Sequence, residues 1–180
     1  RTAALCTVRD LDVCFGVPGL VHCADIITGI PSQSEGELLH DIDTVAGFRP
    51  KHLSAYILSI EDTTALGRRL AAGQVDEHEQ ARLFVLTMER LGDHGLMQYE
   101  ISNYAVPGCE SRHNMKYWRF GPYLGLGPGA HSFLDGERCH NAMTVEEYIG
   151  SERVIIRHDV RSERSAAVEY LLTGLRLLRG

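Results

Sequence analysis

Two continuous apolar runs, each followed by residues repeating at helical spacing, constrain this chain more than any other feature. The first is Val21-His-Cys-Ala-Asp-Ile-Ile-Thr-Gly29, apolar almost throughout and holding one acid, Asp25. Continuous rather than alternating hydrophobicity predicts a strand buried on both faces, as in a parallel sheet. Ile30-Pro31-Ser32 reads as the turn after it. From Glu35 the period changes: Leu38, Leu39, Ile42, Val45 and Ala46 fall on one helical face. Glu35 and Glu37 lie in the first turn, where the helix dipole favours acids, and Gly47 and Pro50 end the pattern. The second run, His52-Leu-Ser-Ala-Tyr-Ile-Leu-Ser-Ile60, has the same character as the first. It leads into a short helical stretch around Thr64–Ala72 and a longer one from Asp76 to about Gly95. The longer stretch opens with Asp76 and Glu79 in capping-box spacing and is expected to bury Phe84, Met88 and Leu91. Strand, helix, strand, helix predicts an α/β chain with right-handed crossovers between parallel strands. An open doubly wound sheet and part of a (β/α) barrel both satisfy that pattern.

Composition narrows the classes. The 180 residues are 44% hydrophobic and 23% charged, ordinary for a globular chain with a sizeable core. A net charge of −6, with no basic run, argues against nucleic acid as the main partner. No apolar stretch reaches the roughly 18 residues of a membrane span, and no signal peptide is visible, so a cytoplasmic setting is expected. The five cysteines, Cys6, Cys14, Cys23, Cys109 and Cys139, are odd in number and form no CxxC or CxxxCxxC pattern. They read as reduced thiols, some of them buried. Arg1 at the start and the apolar pattern Leu171, Leu172, Leu175 and Leu178 at the end read as a piece of a longer protein.

Tyr99 to Phe133 carries neither a helix period nor strand alternation. It nevertheless holds Trp118, the only tryptophan, with four of the seven tyrosines and five of the eighteen glycines. Dense aromatic content speaks against disorder, so a folded, ligand-facing loop region is expected. Beyond it, Arg138–Ala142 reads as a short strand and Thr144–Gly150 as a short helix. Val154–Val160 is interrupted by charges. Ser162–Arg179 reads as an amphipathic helix capped by Ser162.

Three constellations carry chemistry. Asp25 sits near the end of an apolar strand, the end at which parallel α/β folds collect ligands, and Ser59 and Glu61 open at the same end of the next strand. A carboxylate there accepts from ribose hydroxyls or an ammonium, or else serves a neighbouring loop. Gly125-Leu-Gly-Pro-Gly129 permits close backbone approach, but it lacks the Lys-Ser/Thr pair of a phosphate loop and delivers His131 and Ser132 instead. Arg112-His-Asn-Met-Lys-Tyr-Trp-Arg119 sets His113 among aromatic rings and cations. An imidazole is a common axial ligand of haem iron; Arg112, Lys116 and Arg119 suit porphyrin carboxylates, and Tyr117 or Trp118 a macrocycle face. The plainer alternative is a surface histidine beside a core tryptophan.

Four ordered blocks resemble one known family: Asp25-Ile-Ile-Thr-Gly-Ile-Pro31 with Gln33; His52-Leu-Ser-Ala-Tyr56 with Ile60-Glu61; Tyr99-Glu-Ile-Ser-Asn103 through His113-Asn-x-x-Tyr-Trp118; and Tyr123-Leu-Gly-Leu-Gly-Pro-Gly-Ala-His-Ser132. They are similar to the radical S-adenosylmethionine (radical SAM) proteins related to oxygen-independent coproporphyrinogen III oxidase, and within them to the haem-chaperone branch, HemW. The resemblance implies the C-terminal part of a radical SAM (β/α) partial TIM barrel with its extension over residues 1–134. A connecting segment at 135–161 and the start of a C-terminal helical domain at 162–180 would follow. It implies S-adenosylmethionine contacts from Asp25, Ser59 and His131, and haem ligation by His113. The family's cofactors are S-adenosylmethionine and a [4Fe–4S] cluster held by a CxxxCxxC motif. This sequence has no such motif, so neither the cluster nor the methionine end of the cofactor is expected to be held here. The implied function is a haem-binding chaperone serving haem-accepting proteins, with a homodimer compatible; the alternative is the radical decarboxylation of coproporphyrinogen III.

Overall fold

The computed structural model describes residues 2–61, 63–69, 76–150, 157–158 and 162–179. The chain divides into two compact units, residues 1–110 and 111–180.

In the first unit, helix α1 (Thr2–Phe15) precedes strand β1 (Cys23–Thr28), helix α2 (Glu35–Gly47) and strand β2 (His52–Ile57). Short α3 (Ala65–Arg69), long α4 (Glu77–Asp93) and the strands β3 (Met97–Glu100) and β4 (Asn103–Ala105) complete it. β1 and β2 pair in parallel, as the two apolar runs predict, with Asp25 opposite Ser54. The sheet order is β1-β2-β4-β3, and β4 runs antiparallel to both neighbours. The beginning of the central stretch is therefore a tight hairpin rather than irregular chain: Ile101 and Ser102 turn between β3 and β4, with a register shift between Gln98 and Glu100.

Capping fixes the helix starts. Ser34 and Glu37 form a reciprocal capping box at α2, which also holds the Glu37 carboxyl below its usual range through the Ser34 backbone and hydroxyl. At α4 the Asp76 carboxylate accepts from the amides of His78 and Glu79, but Glu79 turns to Arg82 instead of closing the box.

One face of the sheet is packed by α2 and α4: Leu53, Ala55 and Tyr104 meet Leu38, Ile42, Leu83, Leu91 and Leu96. Each fully buried leucine contributes about 1.5–3 kcal/mol of apolar transfer energy. The sequence expectation for α4 is corrected here. Leu83, Thr87 and Leu91 are its buried residues, while Met88 is exposed. β1 also departs from the expected two-sided burial, because Cys23, Asp25 and Ile27 are exposed and only Thr28 is buried. The reason is positional, since β1 is the edge strand and helices cover one face alone. Arg90 clasps Asp43 with two 2.7 Å hydrogen bonds and so ties α4 to α2. Those bonds, then that from His94, hold the Asp43 carboxyl well below the usual carboxylate range.

In the second unit, helix α5 (Arg112–Trp118) leads through the glycine-rich segment to the strands β5 (His131–Leu134) and β6 (Glu137–His140). Helix α6 (Val145–Gly150), strand β7 (Arg157–His158) and helix α7 (Glu163–Gly174) follow. β5, β6 and β7 form an antiparallel sheet in that order. Ser162 caps α7 as expected, but the helix stops at Gly174 and no residue in it is buried. Its leucines do not make the packed stripe that the spacing predicts; Leu171, Leu172, Leu175 and Leu178 are all exposed. Most of Val154–Val160 lies outside the described residues.

Of the cysteines, Cys14 and Cys23 are exposed and Cys109 and Cys139 half-buried, all as free thiols, so the expected burial fails for these four. The Cys6 side chain lies outside the described residues.

Candidate functional site

Side-chain alternation assigns the two faces of the first unit's sheet. Leu53, Ala55 and Tyr104 point to the helices, so His52, Ser54 and Asn103 belong to the opposite face, together with Asp25. Asp25 lies opposite Ser54, Ser54 opposite Asn103, and Asn103 opposite Glu100, which makes a polar row across all four strands. Glu100 is fully buried; its carboxylate accepts from the Ser102 amide at 3.0 Å and from the Asn103 side-chain amide. Asn103 is 3% exposed, and its Oδ1 has no hydrogen-bond partner. In the next row, His52 Nε2 and the Tyr99 hydroxyl are 2.8 Å apart. Burial lowers the His52 pKa, against the opposing pull of the Asp25 and Glu100 carboxylates. The row therefore offers acceptors, the Asp25 carboxylate foremost, to a ligand bearing hydroxyl or ammonium donors.

Ser59 is not part of this row. It lies exposed beyond the end of β2, five residues after Ser54, which at strand spacing is up to about 16 Å further on. The segment between the strand ends and α4 is held by side-chain amides. Gln33 Oε1 accepts from the Gly29 amide at 2.9 Å, and Gln80 donates to the Leu58 carbonyl at 3.0 Å. Gly29 has φ +70, a conformation glycine adopts without a steric penalty.

In the second unit, Ser111 caps α5 by accepting from the Asn114 amide, and His113 is exposed on the first turn. The His113 ring meets Tyr117 edge-on, with centroids 4.9 Å apart at 82°. Tyr117 in turn packs against Tyr123 at 4.5 Å, and Phe120 against Phe133 at 4.6 Å. Arg112, Lys116 and Arg119 all face solvent.

The glycine-rich segment is fastened from within. The Gly125 amide donates to Ser132 Oγ at 2.9 Å, the Gly127 amide to the Tyr148 hydroxyl at 3.2 Å, and the Gly129 amide to the Ala142 carbonyl at 2.7 Å. The Asn141 side chain donates to the carbonyls of Gly125 and Gly127 at 3.2 and 2.9 Å. With its amides already engaged, this segment is no phosphate cradle. It delivers an exposed His131 at the start of β5, whose ring lies 5.3 Å from that of His140 on β6. The four residues named from sequence thus fall two to a unit, Asp25 and Ser59 in the first, His113 and His131 in the second.

No family model matches the chain. Curated relatives do. The chain is 34% identical over 164 residues to the haem chaperone HemW of Bacillus subtilis, which covers 87% of this chain and 43% of that protein. To the HemW of Escherichia coli it is 41% identical over 123 residues, 67% of this chain and 32% of that one. The chain belongs to the HemW family of radical SAM proteins. It is also 37% identical over 117 residues to the bovine radical S-adenosyl methionine domain-containing protein 1, mitochondrial, covering 63% of this chain and 26% of that protein. Among solved structures, the coproporphyrinogen III oxidase HemN of Escherichia coli, a radical SAM enzyme, matches with a TM-score of 0.75 at 15% identity. That match covers 95% of this chain and 44% of HemN, and it establishes the fold as part of the radical SAM barrel. The chain spans about two fifths of the length of the Bacillus relative.

The residues at hand do not fit a [4Fe–4S] cluster. Among the described residues no three His, Cys, Asp or Glu side chains converge as a metal site, and the described cysteines stand apart as free thiols. Among them, too, no helix is long and apolar enough to cross a membrane.

What sequence reasoning missed is the row around Asp25. Ser54, Asn103 and Glu100 sit in blocks that the sequence singles out, but only strand register puts them beside Asp25. The available signal was the close set of polar residues in Tyr99-Glu-Ile-Ser-Asn103.

Proposed function

We propose that this chain supplies the haem-binding part, and one wall of the S-adenosylmethionine site, of a haem chaperone that passes haem to acceptor proteins in the cytoplasm. The observation that carries the reading is the His113 imidazole, exposed on α5 and braced edge-on by Tyr117, in a chain whose curated relatives are named haem chaperones. An exposed imidazole held in place by a neighbouring ring is ready to take an axial position on haem iron. Asp25 accepts from the hydroxyl or ammonium groups of S-adenosylmethionine, with Ser59 as a further contact. Cluster ligands come from elsewhere in the full-length protein, which is compatible with a homodimer.

Titration of the chain with haem tests the central claim. A Soret band that shifts on binding, and is lost or displaced in His113→Ala, is the expected result. An unchanged band and affinity in that variant would remove His113 as the ligand.

A further inference from the structure

In the sheet of the second unit, His131 on β5 stands directly opposite His140 on β6. One position along, the Asn141 amide donates to the Ala130 carbonyl at 2.9 Å. Antiparallel neighbours alternate between hydrogen-bonded and non-hydrogen-bonded pairs, so His131 and His140 occupy a non-hydrogen-bonded pair, the kind whose side chains lie closer. Their ring centroids are 5.3 Å apart, with the planes inclined by 42°. Two imidazoles on one tetrahedral ion, each with a nitrogen about 2.0–2.1 Å from the metal, have ring centres about 5 Å apart. The observed spacing matches that of a chelate. The tautomer fits as well. His140 Nδ1 lies 2.9 Å from the Asn141 carbonyl oxygen, which can only accept, so Nδ1 carries the hydrogen and Nε2 the free lone pair. Donation from one ring nitrogen to a carbonyl is how histidines are oriented to ligate a metal through the other. His131 is exposed and His140 half-buried, so the pair is open to an ion from solvent.

We propose that His131 and His140 chelate a divalent transition-metal ion of the zinc class, each through one imidazole nitrogen, with water in the remaining positions. Ser132 and Cys139, the next pair along the two strands, face the other side of the sheet by strand alternation, so the thiol is not a ligand. Among the described residues no third His, Cys, Asp or Glu joins the pair, which makes the site an open one. Two neutral ring nitrogens select Zn²⁺, Ni²⁺ or Cu²⁺ over Mg²⁺ and Ca²⁺, which take oxygen ligands. The rings are set in advance, because Ser132 and Asn141, the residues next to the two histidines, are bonded to the glycine-rich segment. Haem iron does not suit the pair. Its two axial positions lie on opposite faces of the macrocycle, whereas these rings stand side by side on one face of a sheet. The site is therefore separate from His113 and independent of the haem-binding reading.

Calorimetric titration of the intact chain with Zn²⁺, its thiols kept reduced, tests the site against His131→Gln, His140→Gln and the double variant. Either single substitution is expected to weaken Zn²⁺ binding by about tenfold or more, since losing a ligand costs at least what losing a ligand's hydrogen-bond partner does. The double variant should bind little worse than the singles, because one substitution already breaks the chelate. His78→Gln, at an exposed histidine in the first unit, should leave the affinity unchanged. Undiminished binding in either single variant overturns the proposal, as does the absence of Zn²⁺ binding to the unmodified chain. A second measurement needs no variant. Substoichiometric Cu²⁺ should broaden the imidazole NMR signals of His131 and His140 together, ahead of those of the other histidines. Broadening of one without the other, or of both no sooner than His78, overturns the shared site.

Discussion

A Cβ atom on Gly125 would collide with the carbonyl oxygen of His131. The approach is so close because the Gly125 amide reaches Ser132 Oγ while its carbonyl is held by Asn141, so the segment is pinned against the start of β5 from both sides. The obstacle is backbone, which cannot rotate away as a side chain tip does. Gly125→Ala is therefore expected to force the segment apart and cost about 1–3 kcal/mol, in the range of overpacked sites. Urea unfolding measures the loss, and the His131 ring signals in NMR should move with it. A stability within about 0.3 kcal/mol of the unmodified chain would show that the contact is not close in solution.

Tyr104 points the other way on the scale of tolerance. Its side chain is fully buried in the core of the first unit, and its hydroxyl has no hydrogen-bond partner there. Burial, then the nearby Glu100 carboxylate, pushes its pKa up to about 12. Removing a buried, unmatched hydroxyl while keeping the ring should be neutral or stabilising, by up to about 1 kcal/mol for Tyr104→Phe. Chemical denaturation decides it; a loss above about 1 kcal/mol would mean that the hydroxyl is bonded after all.

His52 predicts a pH dependence whose sign is set by burial. The folded protein holds this imidazole below its ordinary pKa of 6.5, mainly by desolvation, so the unfolded chain takes up a proton that the folded one resists. Stability contributed by His52 is full above pH 6.5 and declines as pH falls through 6.5 toward the lowered folded value. Unfolding midpoints from pH 8 down to 5.5 should show the decline, and His52→Gln should flatten it. An equally steep decline in the variant would assign it to other histidines.

The parts of the fold that read directly from sequence are those decided by neighbours along the chain. The parallel strands β1 and β2, the Asp76 and Ser162 caps and the short helix α6 follow from local pattern and capping chemistry, which act within a few residues. The failures have the opposite cause, partners that lie outside the local stretch. Asn103 to Ala105 reads as loop because three residues carry no period, and they become a strand only by pairing with β2 on one side and β3 on the other. Met88 fits the apolar spacing of α4, yet that helix presents Leu83, Thr87 and Leu91 to the core, a choice made by where α2 and the sheet lie.

By itself the sequence determined the α/β class, the order of the elements in the first unit and four blocks whose spacing marks the HemW family, since these depend on residue types at fixed separations. Tertiary structure alone decided which side chains share a surface. Hydrogen-bond register set Ser54, Asn103 and Glu100 beside Asp25 while leaving Ser59 beyond the end of β2, and packing in the second unit gathered the aromatic rings of Tyr117, Tyr123, Phe120 and Phe133 near His113. Register and burial are properties of pairs that meet only after the chain has closed on itself, and no local spacing records them.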